Sequence, residues 1–192
     1  MGFAQLRKRL QGREPKTLVL AWGLDAGVLE ACRQALDHGF IKEVVVTGPP
    51  EQVQKTAEQV HMDLAGFSFH PAATPVEGAA EAVRLIREGR GQVLMKGHLN
   101  TSVILRAVVN KETGIRKESL LSHITIVELP SERLALLTDA AMNIKPDLPQ
   151  KAQILDNAIK FAWSIGLANP KVAVLASVET VNPQMQDTLD AA

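Results

Sequence analysis

Apolar runs and helical stripes alternate along most of this chain. Residues 17–23 (TLVLAWG) and 43–47 (EVVVT) are continuous β-prone runs with no polar alternate, the pattern of strands buried on both faces of a sheet. Between them Asp25 is placed to cap a helix whose apolar stripe is Val28, Leu29, Cys32 and Leu36 and whose end is Gly39, which makes a βαβ unit. A second helix follows Pro49-Pro50 with Val53, Ala57 and Val60 on one side, and a short strand is expected around Phe67 to Phe69. Thr74, Pro75 and Glu77 give the next helix its start: a capping hydroxyl, proline at the first helical position and a carboxylate at the third. Residues 92–96 (QVLMK) read as a strand and 102–110 (SVILRAVVN) as the helix after it.

Beyond Gly114 the rhythm changes. Residues 123–129 (HITIVEL) and 134–138 (LALLT) are strands separated only by Pro130 to Arg133, too short for a parallel crossover, so they are expected to pair as an antiparallel hairpin. A long helix follows over 149–165, with Asp147 and Gln150 as its cap, and 171–177 (KVAVLAS) reads as a further strand. The last residues, from Asp187 to Ala192, open another helix. The expected organisation is an α/β domain over 1–114 and, from 115 to 192, the first part of a second α/β domain that begins with the hairpin.

Candidate chemistry gathers where strands end and helices begin, since ligands in α/β sheets sit at the carboxyl ends of strands. Lys96 and Gly97 close a strand; His98, Leu99 and Asn100 lead to Thr101 and Ser102 at a helix start, and Arg106 lies in the same helix. Free N–H groups, hydroxyls and cations converging there suit a phosphate or acyl phosphate. The competing reading is that Thr101 caps the helix and Arg106 lies on a solvated face. Ser122 and His123 start the hairpin's first strand. Asp139 and Asn143 flank the end of its second, and Glu179 and Asn182 follow the 171–177 run; each also suits a plain turn or strand edge. His38, His61 and His70 read as surface or capping histidines, and Trp22 and Trp163 as core.

Charge and composition narrow the partners. With 21 cationic and 21 acidic residues among 192, the chain has no general basic field for nucleic acid. At 46% hydrophobic residues it carries enough for a substantial core. No apolar run approaches the roughly 20 residues that span a bilayer. The basic stretch Arg7 to Arg13 has no signal-like apolar segment, so a cytoplasmic protein is expected. Cys32 is the single cysteine and sits on an apolar stripe, which points to a buried, inert thiol. No metal motif occurs. There is also no GxGxxG and no P-loop, which counts against a standard nucleotide cradle.

Four stretches carry a family resemblance: 93–102 (VLMKGHLNTS), 120–128 (LLSHITIVE), 136–148 (LLTDAAMNIKPDL) and 171–191 (KVAVLASVETVNPQMQDTLDA). With them the chain resembles the phosphotransacetylase and phosphate butyryltransferase family, nearer the butyryltransferase branch. The resemblance implies an isocitrate/isopropylmalate-dehydrogenase-like α/β fold of two domains with mostly parallel sheets and a cleft between them. It implies exchange of a short acyl group between coenzyme A and inorganic phosphate, with coenzyme A as substrate, no permanently bound cofactor and a homodimeric assembly. Thr101 and Arg106 match the family's hydroxyl and arginine near phosphate and coenzyme A; Lys96 joins them as a catalytic candidate. Gly97, His98, Asn100, Ser102, Ser122, His123, Asp139, Asn143, Glu179 and Asn182 are then the binding candidates. Such chemistry needs preorganised donors and cations as charge builds on the carbonyl oxygen and the departing phosphate. Members of the family continue past the position matching Ala192, so the second domain is expected to be incomplete. The serine, arginine and aspartate assigned to transition-state stabilisation and thiol deprotonation belong to that later part. Three readings stay open: an acyltransferase chain, a non-catalytic, partner-dependent module that binds anions or coenzyme A, and a dehydrogenase of the same fold, against which the missing dinucleotide signature counts only modestly.

Overall fold

The computed structural model describes residues 1–117 and 120–192, and the chain divides into two compact units. One unit is Arg7–Lys117; the other joins Met1–Leu6 to the chain beyond Lys117.

The Arg7–Lys117 unit is built on a four-stranded parallel sheet ordered β3-β2-β1-β4, from β1 (Lys16–Ala21), β2 (Ile41–Gly48), β3 (Phe67–Pro71) and β4 (Val93–Lys96). Successive side chains of a strand point to opposite faces. Leu18, Leu20, Val44 and Val46 therefore pack with Leu29 and Cys32 of α2 (Ala26–Asp37) and Val53 of α3 (Pro50–Gln59). Val19, Ala21 and Val45 pack on the opposite face with Ala79, Ala82, Val83 and Leu85 of α4 (Pro75–Arg87) and Ile104 of α5 (Thr101–Val109). Both faces are covered, as the unbroken apolar runs require. The caps are those the sequence specifies: Asp25 accepts from the Val28 N–H at 2.9 Å, and Thr74 from the Glu77 N–H at 3.2 Å.

One backbone knot fixes the carboxyl ends of β1 and β4. Trp22 is buried with φ of 61°, and its N–H donates to Thr47 O at 2.9 Å. A Cβ on Gly78 would come within 2.9 Å of the Trp22 ring, so glycine at that point of α4 admits the indole. Gly97 and His98 donate their N–H groups to Ala21 O and Trp22 O, both at 2.8 Å. A Cβ on Gly97 would press into those two carbonyls, so the turn that opens the β4–α5 loop depends on glycine.

In the other unit, β5 (Thr125–Glu128) and β6 (Leu134–Leu137) form the antiparallel hairpin, with Thr125 opposite Leu137 and Glu128 opposite Leu134. Helix α6 (Leu148–Ser164) starts with a reciprocal capping box: Asp147 accepts from the Gln150 N–H, and Gln150 accepts from the Asp147 N–H. Lys151 on α6 pairs with Asp187 at 3.1 Å and Asp190 at 2.8 Å on α7 (Gln186–Ala191). At the N-terminus, Met1 O accepts from Leu134 N–H at 2.9 Å and Glu128 accepts from the Phe3 N–H at 2.6 Å.

The structure departs from the sequence reading in four elements. Residues 171–177 are not a strand: Val172, Val174 and Leu175 are 50–80% exposed, and no described residue pairs with them. Their composition is β-prone, but a strand exists only where a second backbone supplies the ladder. β5 begins at Thr125, two residues after His123. Trp163 is 55% exposed on α6, outside the core stripe of Ile154, Ala158 and Ala162. Helix α1 (Phe3–Leu10) lies where the sequence pattern marks only a basic segment; its cations fall in its last turn, where they suit the helix dipole.

Candidate functional site

The β4–α5 loop brings Lys96, Gly97, His98, Asn100, Thr101 and Ser102 together at the carboxyl end of β4. Asn100, not Thr101, is the N-cap: its Oδ1 accepts from both the N–H and the Oγ of Ser102, each at 2.9 Å. Thr101 therefore keeps an exposed hydroxyl on the first turn. Lys96 Nζ donates to Leu99 O at 3.0 Å and Gly97 O at 3.4 Å, so the ammonium pins the loop and keeps its charge there.

Arg106 lies further along α5, on a groove of about 630 Å³ between α4 and α5. Val76, Ala80, Val83, Val103 and Ala107 supply its apolar lining, and Glu77, Glu81, Arg84 and Arg87 join Arg106 as the charged groups. These cations are not equivalent. Arg84 is committed to Glu81 and Glu88, each at 2.6 Å, and Arg87 donates to Glu112 O at 3.0 Å. The Arg84 guanidinium holds the Glu81 carboxyl below its usual range, against the opposing effect of burial. Arg106 has no carboxylate partner among the described residues. His70 joins this network: its Nδ1 lies 2.9 Å from Glu81, and its Nε2 lies 3.3 Å from an Arg90 guanidinium nitrogen. Because guanidinium only donates, Nε2 accepts and the His70 proton sits on Nδ1 toward Glu81.

In the other unit, Ser122, His123, Asp139 and Asn143 meet in one hydrogen-bonded knot. Asp139 Oδ1 accepts from Ala141 N–H at 3.0 Å and Met142 N–H at 2.8 Å; Oδ2 accepts from Asn143 Nδ2 at 2.6 Å and His123 N–H at 3.1 Å. Burial pushes this carboxyl up, but the four donors outweigh it and leave the pKa at about 2. Thr138 Oγ donates to His123 O at 2.7 Å, so adjacent residues hold both backbone groups of His123. Asn143 also donates to Leu121 O at 3.0 Å. Two further polar groups come from α6: Gln153 accepts from Leu120 N–H at 3.1 Å, and Asn157 donates to Leu120 O at 2.9 Å and Ser122 Oγ at 3.0 Å. These side chains occupy the N–H and C=O of Leu120 and His123 and the C=O of Leu121, groups that a strand starting at residue 123 or earlier would offer to a ladder. His123 Nδ1 is buried without a partner among the described residues.

Glu179 and Asn182 make no hydrogen bond to this knot among the described residues. Glu179 is exposed, and Asn182 forms a local turn in which its Oδ1 accepts from Gln184 N–H at 2.9 Å. No group of His, Cys, Asp or Glu among the described residues is arranged to hold a metal ion, and none of their helices is long and apolar enough to cross a membrane.

Residues 69–192, which contain the β4–α5 loop, the groove and the Asp139 knot, match the family model described as Phosphate acetyl/butaryl transferase. The chain belongs to this family. Phosphate butyryltransferase of Clostridium acetobutylicum is 37% identical over 191 residues, covering 99% of this chain and 63% of its own length. Phosphate acetyltransferase of Rhizobium meliloti is 36% identical over 191 residues, with 99% and 60% covered. A crystal structure of a branched-chain phosphotransacylase from Enterococcus faecalis V583 superposes with a TM-score of 0.77 at 29% identity, over 91% of this chain and 61% of the other. A phosphotransacetylase from Streptococcus pyogenes shares the fold, with a TM-score of 0.74 at 17% identity over 96% and 65%. The chain thus spans about three fifths of the length of these transferases.

Within this family member, sequence reasoning missed Gln153 and Asn157. Both sit on polar positions of an amphipathic helix, where side chains ordinarily face water, and only the fold brings residues 120–123 against them. It also missed the Glu81–Arg84 pair with its His70 partner. The i,i+3 spacing of Glu81 and Arg84 was the available signal.

Proposed function

We propose that this chain forms part of a short-chain phosphate acyltransferase, nearer a phosphate butyryltransferase than an acetyltransferase, which moves an acyl group reversibly between coenzyme A and inorganic phosphate. Arg106 carries the reading: it is an exposed guanidinium without a carboxylate partner among the described residues, on a groove with an apolar lining. Both substrates are phosphate-bearing, and a planar guanidinium matches phosphate oxygens.

Toward acyl-CoA, the coenzyme A thiolate attacks the carbonyl carbon of an acyl phosphate. A C–S bond forms, the C–O bond to phosphate breaks, and phosphate leaves with the electron pair. Arg106, Lys96 and the exposed Thr101 hydroxyl are the cations and the donor available to the phosphate groups of the two substrates. Gly97, His98, Asn100 and Ser102 shape that loop, and Ser122, His123, Asp139, Asn143, Glu179 and Asn182 are the binding candidates of the other unit. Asp139 holds its neighbours in place and is a poor base, because all four of its acceptor positions are filled. Coenzyme A enters as a substrate, with no cofactor held permanently, in a cytoplasmic homodimer.

The test mixes butyryl phosphate and coenzyme A with the purified chain and follows thioester formation, alongside calorimetry of both ligands. Arg106→Gln is expected to weaken coenzyme A or phosphate binding about tenfold, the scale of one charge-assisted hydrogen bond, with unchanged circular dichroism. Unaltered affinity for both ligands returns Arg106 to the solvated face. The exposed, unpaired run at 171–177 favours a second reading, a partner-dependent binding module. Binding without thioester formation selects it.

A further inference from the structure

Residues 120–123 are held by side chains instead of a β-ladder, and the chain of donors in that knot has a fixed direction. Leu120 O is a carbonyl and only accepts, so the Asn157 atom 2.9 Å away is the amide nitrogen. That assigns the Asn157 amide orientation from chemistry. The same nitrogen lies 3.0 Å from Ser122 Oγ, so the hydroxyl oxygen accepts there and its own proton points elsewhere. Ser122 is part-exposed, and among the described residues its hydroxyl donates to no acceptor.

The neighbouring charge selects the acceptor. Asp139 reaches the adjacent His123 N–H at 3.1 Å, and among the described residues its hydrogen-bond partners are all neutral donors, none of them a cation. An ionised carboxylate one residue from Ser122 disfavours a phosphate dianion there and leaves an uncharged oxygen acceptable. We propose that Ser122 is a substrate-contacting hydroxyl, set by Asn157 as its positioning residue to donate to a neutral carbonyl oxygen of a coenzyme A thioester. This rests on the coenzyme A reading above and adds to it. Two carbonyl sources share the chemistry: the acyl carbonyl, and the amide carbonyls of coenzyme A's own arm.

The experiment is calorimetry of butyryl-CoA, free coenzyme A and inorganic phosphate on the whole chain, its Ser122→Ala, Ser122→Thr and Asn157→Asp variants, and the double variant. Ser122→Ala is expected to weaken butyryl-CoA binding about five- to tenfold, to leave phosphate affinity unchanged, and to be restored by Ser122→Thr, which keeps the hydroxyl. A loss confined to butyryl-CoA identifies the acyl carbonyl; an equal loss with free coenzyme A identifies the arm amides. Asn157→Asp draws the hydroxyl proton inward, so its loss and that of Ser122→Ala are expected not to add. Additive losses refute the positioning role. Nitrogen-edited NMR gives a ligand-free check, since Ser122→Ala must shift the Asn157 side-chain amide; an unmoved resonance overturns the donor chain even if Asn157→Asp fails to fold. Weakened phosphate binding in Ser122→Ala, or butyryl-CoA affinity that does not change, refutes the contact. A chain that transfers acyl groups with Ser122→Ala unaltered loses this inference alone. One that binds butyryl-CoA through Ser122 without turnover loses only acyl transfer, and one that binds neither substrate loses both.

Discussion

Asp139→Asn isolates the knot in the second unit. The substitution keeps the shape of the side chain but replaces one acceptor oxygen with an NH2 group. The knot has four donors aimed at Asp139, and at least one of them then meets a donor. Lowering a carboxyl from 3.8 to about 2 corresponds, before solvent screening of this part-exposed group reduces it, to on the order of 2 kcal/mol of folding stability at neutral pH. The folded carboxyl titrates below the unfolded one, so this stabilisation is complete above the unfolded value and disappears as pH falls through the folded one. Wild-type stability from this group is therefore lost between about pH 5 and pH 2. The assay is chemical denaturation at pH 7 and pH 2.5, followed through the half-exposed Trp163 on α6, with amide hydrogen exchange at His123, Ala141 and Met142. Asp139→Asn is expected to cost roughly 2 kcal/mol at pH 7, less at pH 2.5, and to expose those three amides first. A cost that stays constant from pH 7 to pH 2.5 refutes the argument that the ionised carboxylate organises the knot.

Other outcomes follow from local geometry. Gly97→Ala forces a methyl into Ala21 O and Trp22 O; a loss of roughly 2–4 kcal/mol is expected in thermal or chemical denaturation, since backbone cannot give way as a flexible side chain does. Asn100→Ala removes the α5 cap and is expected to cost about 1 kcal/mol, with faster amide exchange at Ser102 as the direct readout. Cys32 is buried, and burial pushes its thiol up to about 11, so iodoacetamide at pH 8 is expected to leave it unmodified in the folded chain and to alkylate it in denaturant.

The legible part of the fold was local. Asp25, Thr74 and the Asp147–Gln150 pair each cap the helix that their spacing indicated, because a cap needs only residues three apart. Unbroken runs at β1 and β2 fixed a sheet covered on both faces, and the short link before Leu134 fixed an antiparallel hairpin. The candidate site was half legible. Its residues could be named, but whether Arg106 was paired, whether Thr101 or Asn100 capped α5, and what held His123 depended on partners distant in sequence.

Sequence alone determined the α/β class, the parallel sheet's buried strands, the single inert cysteine and the resemblance to phosphate acyltransferases. Tertiary structure decided three things that periodicity does not contain. It left residues 171–177 unpaired, because a β-prone run becomes a strand only beside another backbone. It surrounded Asp139 with neutral donors from residues 123, 141, 142 and 143, so that carboxylate holds the backbone around it in place. It also brought Asn157 of α6 to Ser122, thirty-five residues away, and thereby gave that hydroxyl a direction. Hydrogen-bond direction belongs to pairs of groups, and only the folded chain makes the pairs.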